Sequence, residues 1–312
     1  MVQTLPARAK QSYRHEAFLW HEADDFVSGM LPFISDGLDA GEPVMVAVIP
    51  EHQDWLTQSL NGRADQVKFV DMVVLGHNPA RIIPAWQEFL DSHVGSPVRG
   101  IGEPIWPGRR PEELVECQLH EALLNVAVDP EIPFWLICPY DAEALAPDVV
   151  EEAHRSHPVI VEADSYSGSP RYGGRAHIDT MFSSDLAEPV SSVITTAFNA
   201  DNVARLVAYL RLELYVAGLG ADQASQLAVA TQRLALSSLH RGAAEGRIRI
   251  WTAAHAVVSE VSDDTVVDDL LHGRRVPFGE DHDGLWVANQ LCDLVQLRST
   301  PNGTIVRAHV WR

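Results

Sequence analysis

Short runs of Val, Ile, Leu and Phe alternate with stretches of helical period from residue 15 to about 158. EAFLW is followed by the amphipathic FVSGMLPFISDGLDAGE, then PVMVAVI, QVKFVDM, the helical ARIIPAWQEFLDSHV, PVRGIGE, the long helical ELVECQLHEALLNVAV and FWLICPY. Strands of this kind separated by helices predict a mostly parallel sheet with helices on both faces. From 161 to 189 the chain is rich in Ser, Gly, Pro and Asp and has no apolar period, which predicts an interdomain linker. Beyond it, NADNVARLVAYLRLELYVAGLG and ADQASQLAVATQRLALSSLHRG read as two helices that each stop at Gly. RIRIWTAAHAVVSEVSD reads as a hairpin, GLWVANQLCDLVQL as a helix, and TIVRAHVW as a last strand after the Pro301-Asn302-Gly303 turn. The fold class is therefore α/β over 10–160, a linker over 161–189, and an α+β sandwich over 190–312.

Composition narrows the function classes. A chain of 312 residues with 46% hydrophobic residues can fill two cores. Lys and Arg number 23 against 43 for Asp and Glu, a formal net charge of −20, which repels nucleic-acid backbones and anionic lipid. Direct nucleic-acid and membrane partners are not expected. The opening MVQTLPARAKQSYRHE has basic residues without an apolar run behind them, so a cytoplasmic location is expected. Cys117, Cys138 and Cys292 are odd in number and widely spaced, which argues against a disulfide framework.

The closing GLWVANQLCDLVQLRSTPNGTIVRAHVW, with the two helices before it, resembles the GHKL-type ATP-binding domain of anti-sigma-factor serine kinases. The resemblance implies an ATP site built from a helical Glu, an Asn four residues later that holds Mg²⁺, an Asp that accepts from adenine, a Gly two residues beyond it, a Gly-rich lid and a late Thr. At the matching positions stand Arg233, Ser237, Asp263 and Thr265; the lid reads Asp281, His282, Asp283, Gly284, and Gly273 and Thr304 persist. A guanidinium neither binds Mg²⁺ nor acts as a base at neutral pH. A β-branched Thr stands where the base needs close backbone approach, and carboxylates stand where the triphosphate would lie. The resemblance thus implies a degenerate ATP site, no catalytic residues, and a domain that acts by binding protein, with a sigma factor or an anti-sigma antagonist as partner.

HEAFLWHEADDF, DMVVLGHNPARIIPAWQEFLD, RGIGEPIWPGRRPEELVECQLHEALLN and CPYD together resemble the MEDS sensory domain over residues 15 to 158. The resemblance implies a RecA-like fold. No GxxxxGK[ST] follows the first strand, where His21 to Asp25 are acidic and free of Gly, so ATP is not expected there. Ligands of open parallel sheets bind at strand ends. Polar and aromatic residues near those ends and on the long helix give a candidate effector pocket of His21, Arg99, Glu103, Trp106, Glu116, His120, Cys138, Tyr140 and Asp141. Their plain structural readings are an i,i+4 pair for Glu116 and His120, an internal Arg99–Glu103 ion pair, and a turn at CPYD. His15 flanks the first strand, Glu121 lies beside Glu116 and His120 on the helix, and His154 and His157 read as exposed or capping residues at a helix end.

The reading is a signal-sensing regulator with an unknown small-molecule effector and no expected cofactor, not an enzyme, with a homodimer expected from its amphipathic helices. Two others stay open: an active ATP-dependent anti-sigma serine kinase, and a metal- or haem-binding sensor using Cys117, His120 and a distant His.

Overall fold

The computed structural model describes residues 12–162, 165–277 and 283–312. The chain divides into two compact units, Met1–Ile178 and Asp179–Arg312.

The first unit contains β1 (Arg14–Trp20), α1 (Ala23–Asp39), β2 (Val44–Val48), α2 (Pro50–Ser59), β3 (Lys68–Asp71), α3 (Met72–Leu75), α4 (Ile82–Asp91), β4 (Val98–Gly102), α5 (Pro111–Ala127), β5 (Phe134–Asp141), α6 (Pro147–Ser156), β6 (Val159–Glu162) and β7 (Ser165–Gly168); α7 (Gly174–Phe182) follows. The strands form one seven-stranded sheet in the order β3-β2-β4-β5-β1-β6-β7. Every pairing is parallel except β6 with β7. Parallel pairing needs long crossovers, and the helices between the strands supply them.

The period-2 alternation of β1 sends Phe18 and Trp20 to one face, where they pack with Phe26, Met30, Phe33 and Ile34 of α1 and Leu56 of α2. His15, Ala17 and Leu19 face the other way, in register with Leu136, Cys138 and Tyr140 of β5. On that side lie α4, through Trp86 against Phe134 with ring centroids 5.5 Å apart, and α5. The sheet is thus covered on both faces, as the pattern of short strands and helices predicts. α1 begins where a phosphate loop would stand in a P-loop protein. Its first turn is closed by its own residues, with the His21 and Glu22 amides donating to Asp25 Oδ2.

The stretch expected as a linker carries β7 and α7. β7 is an edge strand whose four residues are all exposed, held by its backbone pairing to β6, so no apolar period marks it in the sequence.

The second unit holds β8 (Val193–Asn199), α8 (Leu206–Val216), α9 (Ala221–His240), β9 (Glu245–Thr252), β10 (Ala256–Asp263), α10 (Gly284–Leu291), β11 (Leu294–Thr300) and β12 (Gly303–Trp311). Its antiparallel sheet runs β11-β12-β10-β9-β8. α9 lies on one face: Thr231 Oγ1 donates to Ser259 Oγ at 2.8 Å and Ser238 Oγ to Asp263 Oδ2 at 2.6 Å. On the other face Glu260 joins Arg249 Nε at 2.7 Å and Arg307 Nε at 2.5 Å. The helix expected over GLWVANQLCDLVQL ends at Leu291. Cys292 is extended, and the amide of Trp311 binds Asp293 Oδ2 at 2.6 Å, so Leu294 onward pairs with β12. The apolar run LVQL fits either period, and the β12 hairpin decides between them. β8, largely exposed, has no alternation that would have announced it.

Candidate functional site

Among the described residues, a cluster of four buried ionisable groups lies between α5 and the sheet of the first unit. His15 comes from β1, Cys138 from the adjacent β5, Glu121 from α5, and His157 from the residue that ends α6. One ligand atom from each of the four lies within 4.8 Å of all the others, and all four residues are buried. His15 Nε2 is 3.0 Å from Glu121 Oε2 and 3.4 Å from Cys138 Sγ, and His157 Nε2 is 3.1 Å from Glu121 Oε2. The two imidazole centroids are 4.2 Å apart. Tyr13 stacks on His15, and Tyr140 meets His157 edge-on.

A second layer fixes the rings. Asn125 Nδ2 donates to the carbonyls of Ser156 at 2.7 Å and Ala122 at 3.1 Å, which turns its Oδ1 toward His15 Nδ1 at 3.2 Å. His157 Nδ1 faces the Ala153 carbonyl at 2.9 Å. Each Nδ1 therefore meets an acceptor and must carry a proton, and each Nε2 points at Glu121. Burial pushes the Glu121 carboxyl up, but the hydrogen bonds and charges of His15 and His157 outweigh it and hold the group well below the usual carboxylate range. Burial, reinforced by His157, pulls His15 toward its neutral form. Burial and then Glu121 push the Cys138 thiol far up.

Of the residues read as an effector pocket, Cys138 and Tyr140 belong to this cluster. The others are placed elsewhere. Arg99 and Glu103 do not pair: Arg99 Nε binds Glu42 at 2.6 Å, and Glu103 binds His52 Nδ1 at 2.8 Å. Asp141 Oδ1 accepts from the amides of Glu143 and Ala144, the strand-ending turn. His21 is exposed, 3.6 Å from Glu162, and Trp106 lies under the Arg109 guanidinium at 3.7 Å. Glu116 and His120 are buried on α5 alongside Cys117, whose thiol burial pushes up to about 12. His157 is indeed the residue that caps α6, but it is wholly buried rather than exposed. At the strand ends, Glu103 and His52 sit beside Trp20, Phe26 and Trp55, and burial raises the Glu103 carboxyl against the lowering effect of His52.

These positions acquire a context from comparison with known families. Residues 14–158 match the MEDS family, the methanogen/methylotroph, DcmR sensory domain. The cluster and the strand-end pair both lie within the matched residues. No curated protein matches the chain. Among the described residues no helix is long and apolar enough to cross a membrane.

The residues read as a degenerate ATP site gather around α9 in the second unit. Arg233 and Ser237 stand one turn apart on it, half-buried, and Arg241 Nη1 donates to Ser237 Oγ at 3.2 Å. Asp263 Oδ2 accepts from Ser238 Oγ at 2.6 Å and Arg241 Nη2 at 2.9 Å. Its Oδ1 accepts from the Thr265 amide at 2.8 Å and from the Thr265 hydroxyl. Thr304 Oγ1 donates to the Thr265 carbonyl at 2.7 Å. Gly273, at φ +72°, lies under the Leu285 side chain, and Gly284 lies so close to the Arg233 carbonyl that a Cβ would overlap it. Asp283 caps α10 through the Leu285 amide. Asp281 and His282 lie outside the described residues.

Proposed function

We propose that the chain is a cytoplasmic sensor-regulator in which the MEDS domain binds a small-molecule effector and residues 190–312 work as a catalytically silent, GHKL-type partner-binding domain. The sensory half of this reading rests on the family match. The silent half is carried by Asp263. The carboxylate that would accept the adenine amino hydrogen already takes four donors from Ser238, Arg241 and Thr265, and its side chain is 1% exposed. A nucleotide would have to displace a charged hydrogen bond to use it, at a cost of about 1.5–3 kcal/mol. Arg233 and Ser237 offer neither a general base nor an Mg²⁺ ligand one turn away, and phosphoryl transfer depends on positioning and charge neutralisation.

A domain without the chemistry can still bind a sigma factor or an anti-sigma antagonist. Tyr209, Leu212, Tyr215 and Val216 stand exposed along α8, an apolar stripe of the kind a protein partner covers. Isothermal titration of the full chain with Mg²⁺-ATP tests the reading. No heat is expected up to millimolar nucleotide, and saturation in the low micromolar range would replace this reading with that of an active kinase.

A further inference from the structure

The buried cluster brings one ligand-type atom from each of four side chains within 4.8 Å of the others. With both Nδ1 atoms committed as donors to Asn125 Oδ1 and the Ala153 carbonyl, the two imidazoles turn both Nε2 atoms inward. Glu121 adds two carboxylate oxygens, of which Oε1 is buried and has no hydrogen-bond partner. Cys138 adds a buried thiol whose Sγ is 3.4 Å from His15 Nε2. A carboxylate and two imidazole nitrogens packed at 3.0 and 3.1 Å in a dry interior call for positive charge among them, which a metal ion or protons on the rings would supply.

The donor set names the charge. Two imidazole Nε2 atoms, a thiol and a carboxylate are ligands for borderline transition metals, whereas Mg²⁺ and Ca²⁺ take oxygen. A tetrahedral Zn²⁺ with Zn–N, Zn–O and Zn–S bonds of about 2.0–2.3 Å sets its ligand atoms roughly 3.3–3.7 Å apart. Here the ligand atoms lie 3.0, 3.1 and 3.4 Å apart where they are closest, and all fall within 4.8 Å. The outer layer agrees, since metal-bound histidines donate their other N–H to a carbonyl or similar acceptor that locks the tautomer. We propose that His15, Glu121, Cys138 and His157 bind one divalent transition-metal ion of the zinc type in a closed, four-coordinate site. Cys138 binds as the thiolate, its proton leaving to solvent as the metal enters. The ion ties β1, β5, α5 and the end of α6 together, so metal affinity is coupled to the folding of the MEDS domain. Neither Cys117 nor His120 takes part. The inference stands apart from effector binding and from the state of the second unit.

The test is metal titration of the full chain after chelator dialysis, with Zn²⁺ followed by competition against a chromophoric chelator and with Co²⁺ followed by absorption. One equivalent of either metal is expected, and the Co²⁺ form should show tetrahedral d–d bands with a thiolate charge-transfer band. The near-isosteric Cys138→Ser should remove the charge-transfer band, while Cys117→Ser should leave it. His15→Ala and His157→Ala should each weaken binding by at least about 100-fold. Asn125→Ala, which removes no ligand atom but takes away the acceptor at His15 Nδ1, should weaken it about 10–100-fold. Failure of the folded wild-type chain to bind an equivalent would overturn the proposal, as would a charge-transfer band that survives Cys138→Ser. The first result would leave protons on the imidazoles as the balancing charge, and the second would assign the thiolate to another cysteine.

Discussion

Replacing Asp263 with Ala separates a carboxylate that holds the second unit together from one that waits for a nucleotide. In the structure its oxygens satisfy Ser238 Oγ at 2.6 Å, Arg241 Nη2 at 2.9 Å and the amide and hydroxyl of Thr265. The Asp263 side chain is 1% exposed and that of Arg241 21%, so the truncation strands a mostly covered guanidinium that can still reach some water. Breaking a buried charged pair costs about 3–5 kcal/mol, and partial access to water places this case near 3 kcal/mol. For a unit of this size that corresponds to a fall in Tm of about 10 °C. Asp263→Asn keeps one acceptor oxygen and should lose roughly half as much. Urea unfolding and differential scanning calorimetry of the full chain read both. A loss below about 1 kcal/mol for Asp263→Ala would refute the reasoning, because it would mean that the carboxylate is not needed by its present partners and is free to accept from a base.

Other perturbations probe the same unit. Burial, then Arg307, lowers the His309 pKa to about 4, so the unfolded chain binds a proton between about pH 6.5 and 4 that the folded chain refuses. Stability from this group is full above that window and falls by about 3 kcal/mol as pH drops through it; His309→Gln should show a correspondingly flatter pH dependence in urea unfolding. Glu260→Gln removes the charge between Arg249 and Arg307, the latter 5% exposed, and should cost about 3 kcal/mol, read as a lower urea midpoint with unchanged m. Gly284→Ala forces a methyl against the Arg233 carbonyl and should displace α10 from α9, destabilising by about 1–3 kcal/mol, whereas Gly62→Ala, in open space, should cost only its backbone strain of about 1 kcal/mol.

The parallel sheet was legible because its strands are apolar on both faces: Val44 to Val48 are buried without exception, and such runs survive reading without any knowledge of their neighbours. The misses share one cause. β7 and β8 owe their existence to backbone pairing with β6 and β9, and their exposed side chains carry no period. The boundary at Cys292 depends on Asp293 and Leu294 meeting β12, a contact whose partners follow several residues later. Local periodicity records burial, and where pairing rather than burial makes the strand it has nothing to record.

The buried cluster was hidden for a related reason. His15 and Cys138 become neighbours only because β1 lies beside β5, an adjacency that crossover topology sets and that no spacing encodes. Glu116 and His120 drew attention because they are four apart, yet α5 is buried at Glu113, Glu116, Cys117, His120, Glu121 and Leu124, so it has no clean polar face to mark which of its ionisable groups point at the sheet. One signal was available. In RHEAFLW the alternation that buries Ala17 and Leu19 also buries His15, and the same alternation in β5 aligns Cys138 with Leu136 and Tyr140. A histidine on the apolar side of a central strand requires a partner, since an unpaired buried imidazole loses its hydration without return. That requirement, followed across the sheet to Cys138 and up to Glu121 on the helix above, leads to the same four side chains from chemistry that spacing alone does not reach.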